Sequence, residues 1–306
     1  MTDLAETLDA HALRVVKAIA DEGSLTGAAA SLGYSQPALS QLLKRLEARI
    51  GVPLTERVGR RMRLTEAGEV LARHAPAVTS ALDAAAGELD ELRGLRTGRV
   101  RLAAFPSASA TLVPRLFAEL ARTHPGITLT YVEAEPPEAV DAVRAGRADI
   151  AVTFSYPGDR DDPHGESALG LAVREIGLDE LRAVLPSGHP AASGPVDLAE
   201  LADADWIAGC PRCRGHLLEA CATAGFTPRI GFETDNFVAV QSLVAMGLGV
   251  ALLPRLALES TPPREGIVAQ PTRSGDARTV HLVTARGARD VPATAVVLRA
   301  LERLAA

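Results

Sequence analysis

Ser35-Gln36-Pro37-Ala38-Leu39-Ser40-Gln41-Leu42-Leu43-Lys44-Arg45-Leu46-Glu47-Ala48-Arg49-Ile50 is the stretch on which the fold of the N-terminal part turns. Leu39, Leu42, Leu43, Leu46 and Ile50 recur at three and four residues, the stripe of a helix with one face in a core. Gln36, Pro37, Ser40, Gln41, Lys44 and Arg45 take the other side. Ser35 stands where a hydroxyl caps the first free N–H groups, and Pro37 is tolerated because the first turn has N–H groups to spare. Gln can pair bidentately with adenine, Ser donates or accepts, and Lys and Arg reach guanine or phosphate. A solvated helix face more often mixes Glu with Lys, so this face has the chemistry of a major-groove reader.

The flanks complete a motif. Leu8, Leu13, Val16, Ile19 and Ala20 predict a first helix stopped by Gly23, and Ser24 caps a second, short one containing Ala28, Ala29 and Ala30. Gly33-Tyr34 turns the chain into the helix begun by Ser35, which makes a helix-turn-helix. Gly51-Val52-Pro53 then breaks that helix, and Leu54–Arg57 with Arg60–Leu64 read as a hairpin around Val58-Gly59. Arg57, Arg60 and Arg61 at its tip suit backbone phosphates.

Charge agrees. The 306 residues carry a net −6, yet residues 36–63 hold seven basic side chains against two acidic ones, so a basic module rides on an acidic remainder. Apolar residues make up 47% and charged residues 23%, a globular composition. The longest apolar run, Leu243–Leu253, is about half a bilayer span. The N-terminus lacks the basic-then-apolar pattern of a secretory signal, and three cysteines make a disulfide framework unexpected, which points to the cytoplasm.

Thr65 caps a further helix that can run to Arg93, about 42 Å. Leu71, Ala75, Val78, Leu82, Ala85, Leu89 and Leu92 alternate at four and three residues, a coiled-coil seam, with a kink expected at Pro76. After Gly94–Gly98 strands alternate with helices, an α/β arrangement whose ligand crevice belongs at the carboxyl ends of the strands. Strands are expected at Val100–Ala104, Thr128–Glu133, Ile150–Phe154, Leu181–Leu185, Trp206–Ala208, Ile230–Glu233, Val250–Leu253 and Val280–Thr284. Helices are expected at Thr111–Thr123, Pro136–Ala145, Arg214–Gly225, Phe237–Met246 and Pro292–Leu304. Ser107, after the first strand, is placed to cap the helix near Ser109–Thr111, where free N–H groups favour an anion.

These motifs resemble the LysR-type transcriptional regulators. Gly23-Ser24-Leu25-Thr26-Gly27-Ala28-Ala29, Ser35–Ser40, Lys44–Glu47, Gly51–Leu54, Glu56-Arg57, Gly59–Arg61 and Leu64-Thr65-Glu66-Ala67-Gly68 carry the likeness in order. Thr55 departs from the Phe usual in that family, which puts the anchoring of the hairpin in question. Farther on, Phe105–Ala108, Ala145–Ala151, Leu185–Pro190, Ala224–Pro228 and Ala245–Pro254 look like its effector-binding domain.

The resemblance implies a winged helix-turn-helix over 1–65, a linker and dimerisation helix over 66–93, and a two-lobed α/β effector domain over 98–306 similar to periplasmic solute-binding proteins. One lobe would take about 98–173 and 279–306, the other about 174–272, with crossover strands near Val173–Ile176 and Gln270–Thr279. It implies double-stranded DNA with dyad symmetry and a small-molecule effector as partners. It also implies a homodimer through Leu71, Val78, Leu82 and Leu89, and pairing of dimers into a homotetramer. DNA contacts would fall to Ser35, Gln36, Pro37, Ser40, Gln41, Lys44, Arg45, Arg57, Arg60 and Arg61, and effector contacts to Ser107, Ala108, Thr153 and Phe154.

No Walker loop, His-Glu-x-x-His, Gly-x-Ser-x-Gly or paired acid and base stands out, so no catalysis and no cofactor are expected. A solute-binding protein or an enzyme on the same lobes is the competing class. Cys210-Pro211-Arg212-Cys213, with His216 and Cys221 following, invites a zinc or redox reading. Cys210, Cys213 and His216 are one ligand short of a tetrahedral zinc site, and Cys221 lies about 12 Å along the helix from Cys213, so no metal is expected. Redox sensing through Cys210 and Cys213 is the alternative function; a pocket-lining role is the preferred reading.

Overall fold

The computed structural model describes residues 8–58, 61–92, 98–158, 164–165 and 168–305. Three helices come first: α1 (Ala10–Glu22), α2 (Leu25–Ser31) and α3 (Gln36–Ile50). Their caps are those the sequence predicts. Ser24 Oγ accepts from the Gly27 N–H at 3.1 Å and Ser35 Oγ from the Ala38 N–H at 3.4 Å. Gly23 closes α1 at φ 59° and Gly51 closes α3 at φ 84°, a left-handed conformation that costs a residue without Cβ little. Val15, Val16, Ile19, Ala28, Ala29, Leu39, Leu43, Leu46, Leu54 and Leu64 close one core.

The hairpin follows as β1 (Thr55–Val58) and β2 (Arg61–Leu64), paired antiparallel with Val58 opposite Arg61. Its expected weak point, Thr55, is fastened by polar contacts. Glu47 Oε1 accepts from the Leu54 N–H at 2.8 Å, the Thr55 N–H at 3.1 Å and the Thr55 hydroxyl at 3.2 Å. Thr65 caps α4 (Glu66–Leu92) through the Gly68 N–H, 3.2 Å from its Oγ1. A Cβ on Gly68 would lie 2.2 Å from the Leu54 carbonyl oxygen, so only glycine lets this helix cross the root of the hairpin. Helix α4 is continuous through Pro76.

Strands β3 (Gly98–Ala104), β4 (Ile127–Glu133) and β5 (Ile150–Ser155) run parallel, with α5 (Pro106–Thr123) and α6 (Pro136–Arg144) between them. The first half of the domain packs on both faces of this sheet, with Val100, Leu102, Ile150, Val152, Leu116 and Leu301 on one side and Ala103, Ala151, Val140 and Val283 on the other. Asp149 ties β3 to the start of β5, taking Arg101 Nε at 3.1 Å, its Nη2 at 2.6 Å and its backbone N–H at 2.7 Å.

The 16-residue strand β6 (Leu171–Pro186) joins the halves. Up to Glu180 it pairs with β11 (Ala277–Ala285); from Leu181 it pairs with β9 (Ala251–Pro254), and from Arg182 also with β10 (Ile267–Pro271). This corrects the expected first crossing at Val173–Ile176, which lies where β6 still pairs with β11; the partner exchange falls at Glu180–Leu181. The second passage, from Pro271 to Ala277, falls inside the expected Gln270–Thr279. In the second half β7 (Asp205–Ala208) and β8 (Arg229–Glu233) are parallel, with α7 (Pro211–Thr223) and α8 (Phe237–Ala245) beside them; α9 (Arg255–Glu259), after β9, packs through Leu256 into the core of the first half against α5, and α10 (Pro292–Ala305) returns to the first half.

Candidate functional site

Helix α3 separates its residues as the two-faced pattern demands. Leu39, Leu43 and Leu46 are buried, whereas Ser35, Gln36, Pro37, Gln41, Lys44 and Arg45 are exposed and Ser40 is half-buried. Arg57 is exposed on β1. Arg61 pairs with Val58 in the ladder. Arg60 lies outside the described residues. A polar, cationic helix face beside a basic hairpin fits a duplex groove and its flanking phosphates.

On α4 the expected seam divides. Leu71 packs against the helix-turn-helix core and Val78 is half-buried, so the first turns cover their own chain. Leu82 and Leu89 are 51% and 57% exposed, an apolar pair one heptad apart.

The second site lies between the two halves of the C-terminal domain, at the carboxyl ends of its parallel strands. A cavity of about 60 Å³ opens there. Phe105, Ser107 and Phe154 line it from the first half, Cys210, Cys213, Asp235, Phe237 and Leu253 from the second, with Glu135 and Arg278 at its polar wall. Two expected effector contacts stand elsewhere. Thr153 points to the opposite face of β5 from Phe154, fully buried, with its hydroxyl 2.7 Å from His164 Nε2; Ala108 is buried in the core beneath α5.

Ser107 lines the cavity in a different role from the expected one. Helix α5 begins at Pro106 rather than near Thr111, so Ser107 is inside its first turn and caps nothing. Its Oγ accepts from Arg278 Nη2 at 2.6 Å instead. Arg278 also donates to Asp179 Oδ2 from Nε and Nη2, at 3.0 and 2.8 Å, and lies over the rings of Phe154 and Phe105 at 4.2 and 4.7 Å. The guanidinium is therefore held by a carboxylate, a hydroxyl and two π faces, and little of its charge is left for a ligand.

Glu135 has the opposite character. Its Oε2 is buried with no hydrogen-bond partner, and burial, helped by Cys213, pushes the carboxyl up to about 7.

The Cys-x-x-Cys loop forms the facing wall. Helix α7 starts at Pro211, three residues before the expected Arg214, because Cys210 caps it: the Cys213 N–H reaches Cys210 Sγ at 3.5 Å. The two sulfurs are 3.0 Å apart, and both thiols are free. Tyr156, which follows β5 in the first half, donates its hydroxyl to Cys213 Sγ at 3.5 Å across the cleft. The hydrogen bond from Cys210, against the pull of burial and with Arg278 and the Tyr156 hydroxyl, lowers Cys213 to about 6. Cys210 moves the other way, raised first by its hydrogen bond to Cys213 and then by burial. The two thiols thus move in opposite directions, Cys213 toward the thiolate and Cys210 away from it. Cys221, buried deeper in the same helix, is pushed up to about 11 by burial.

Sequence reading missed Arg278, Asp179, Glu135 and Tyr156. Glu135 had a signal, since it precedes Pro136-Pro137 at a helix start; a lone Arg on a strand had none.

Residues 10–69 match the family model of the bacterial regulatory helix-turn-helix protein, lysR family, and residues 93–306 match the LysR substrate binding domain. Among curated relatives, the probable HTH-type transcriptional regulator LrrA of Synechococcus elongatus is 30% identical over 253 residues, 82% of each chain. The probable hydrogen peroxide-inducible genes activator of Mycobacterium avium is 32% identical over 268 residues, 83% of this chain and 81% of that one. A full-length OxyR variant from Pseudomonas aeruginosa shares the fold, with a TM-score of 0.69 at 24% identity, covering 98% of this chain and 96% of that one. The chain belongs to the LysR family of bacterial transcriptional regulators, DNA-binding proteins with an effector-binding domain.

Proposed function

We propose that this regulator reads operator DNA with Gln36, Ser40 and Gln41, holds phosphates with Lys44, Arg45, Arg57, Arg60 and Arg61, and answers to a small molecule in the 60 Å³ cavity between its halves. The observation that carries the reading is the division of α3 into buried leucines and an exposed Gln/Lys/Arg face. Leu82 and Leu89 supply the seam of a dimer, so two recognition helices meet a site with dyad symmetry, and dimers pair into a tetramer. The protein works in the cytoplasm and catalyses no turnover.

The cavity favours an occupant without a carboxylate. Arg278 is the cation on its wall and is already neutralised by Asp179, while Glu135, Asp235 and Cys213 make the remaining polar surface acidic. Phe105, Phe154, Phe237 and Leu253 provide the apolar bed of a small, uncharged organic effector. A gel shift with the DNA adjoining its own gene, run across a panel of small metabolites, tests this. A neutral compound should change the wild-type shift and leave Phe154→Ala unaffected. Equal response in Phe154→Ala would place the effector elsewhere.

A further inference from the structure

We propose that Glu135 selects the effector, and that the effector class is a small neutral molecule with a hydrogen-bond donor and acceptor side by side, as in a primary amide. The inference rests on the reading of the cleft as the effector site and names what that site takes.

The sequence leaves this carboxyl unpaired. Glu135 stands immediately before α6, where a side-chain oxygen ordinarily accepts from the first free N–H groups of the helix. Pro136 and Pro137 fill the first two helical positions and have no N–H to give, and Glu135 makes no capping hydrogen bond. It lies on the cavity wall instead, with Oε2 buried and without a partner. A buried oxygen in that condition is destabilising unless something binds it. The last torsion of the side chain is soft, so either carboxyl oxygen can turn to an occupant.

The surroundings select against charge. Burial, helped by Cys213 and Asp235 from across the cleft and by Glu138 on its own helix, and opposed by Arg278, pushes the Glu135 carboxyl up to about 7. An anion would meet Glu135 and Asp235. A cation would have to ionise Glu135 against its burial, beside Arg278 and with the Arg212 guanidinium 5.9 Å from the Phe154 ring. A protonated carboxyl carries one donor and one acceptor on adjacent oxygens, and an amide carries the complement, so the two close a ring of two hydrogen bonds. Phe105, Phe154 and Phe237 cover the alkyl side of such a molecule. The cavity of about 60 Å³ has the room of about four or five waters, which suits a short-chain amide. Ionised Glu135 keeps only the acceptor half of the ring, so the amide is held best while the carboxyl is protonated.

The test uses the full-length protein, propionamide as the probe and saturation-transfer NMR for the affinity, with propionate, propylamine and N,N-dimethylpropionamide as comparisons. Propionamide should bind about tenfold more tightly at pH 6 than at pH 8, the ratio of protonated fractions for a carboxyl at about 7. Glu135→Gln keeps a donor beside an acceptor, so it should bind propionamide and lose the pH dependence. Glu135→Leu, and dimethylation of the probe, should each weaken binding by about tenfold or more, because a buried polar atom is left unpaired. The pH profile of Glu135→Gln decides the matter even where Glu135→Leu fails to fold. A flat profile in wild type, a profile that persists in Glu135→Gln, or tighter binding of propionate or propylamine than of propionamide would each overturn the proposal. Phe154→Ala separates it from the reading on which it rests. A comparison probe that binds wild type and is lost in Phe154→Ala keeps the effector cleft and overturns the amide. If no probe is lost in Phe154→Ala, both fall.

Discussion

Arg278 on β11 and Asp179 on β6 stand in register opposite each other, 2.8 Å apart, and their side chains are 3% and 2% exposed. They meet one residue before β6 exchanges β11 for its partners in the second half. Asp179 Oδ1 also accepts the Leu256 N–H at 3.0 Å, a free donor in the first turn of α9. One carboxylate thus ties the crossing strand, the start of a helix and the guanidinium on the cleft wall.

Removing that carboxylate leaves a buried cation without its counter-ion. Asp179→Ala should lower stability by about 3–5 kcal/mol, read from chemical denaturation followed at Trp206. A loss under about 1 kcal/mol would mean that Arg278 is solvated in the folded protein.

Glu135 makes stability depend on pH. Its carboxyl titrates near 4.5 in the unfolded chain and about 7 in the folded one, so the folded state holds an extra proton between those values. Stability from this group is therefore greatest at the acid end and falls as pH rises to about 7, beyond which it is level. Denaturation midpoints of wild type and Glu135→Gln, measured from pH 4.5 to 8, should diverge across that window in favour of the variant. Parallel curves would place Glu135 in water.

Leu82 and Leu89 should be covered only by a second copy of the chain. Changing both to Glu puts four charges into the seam of a dimer and should give a monomer by sedimentation at micromolar protein, with the helix-turn-helix still folded. A wild-type monomer under the same conditions would remove the seam.

Arg57 should contribute to DNA affinity without contributing to sequence choice. Arg57→Ala is expected to weaken specific and random DNA alike and to reduce the slope of log K against log salt by about 1. Loss confined to the specific site would make it a base reader.

The N-terminal domain was legible almost residue by residue, because its signals are local: a cap, a left-handed glycine and a leucine stripe each act within four residues. Ser24, Ser35, Gly51 and Thr65 all do what their positions predict. Boundaries failed where a helix starts without one of the usual Ser, Thr, Asp or Asn caps. Phe105 precedes α5 with no side-chain cap, and Cys210 caps α7 with sulfur, so both helices begin three to five residues before their apolar periodicity shows. The cleft was legible only in part. Ser107, Phe154, Cys210 and Cys213 could be named from strand ends and spacing, but Arg278 and Asp179 are 99 residues apart in sequence and meet through strand pairing. Thr55 shows the same limit. Its departure from the family pattern suggested a weak anchor, and the compensating Glu47 carboxylate is visible only in three dimensions.

The measurement that meets the central claim most directly is a titration of wild type and Gln36→Ala against the DNA upstream of its own gene and random DNA of equal length, at fixed salt. Wild type should prefer the upstream fragment and protect two half-sites related by a dyad. Gln36→Ala should lose about 1–3 kcal/mol of that preference while its affinity for random DNA is unchanged. Equal wild-type affinity for both DNAs, or full preference retained in Gln36→Ala, would contradict the assignment of α3 as the helix that reads sequence.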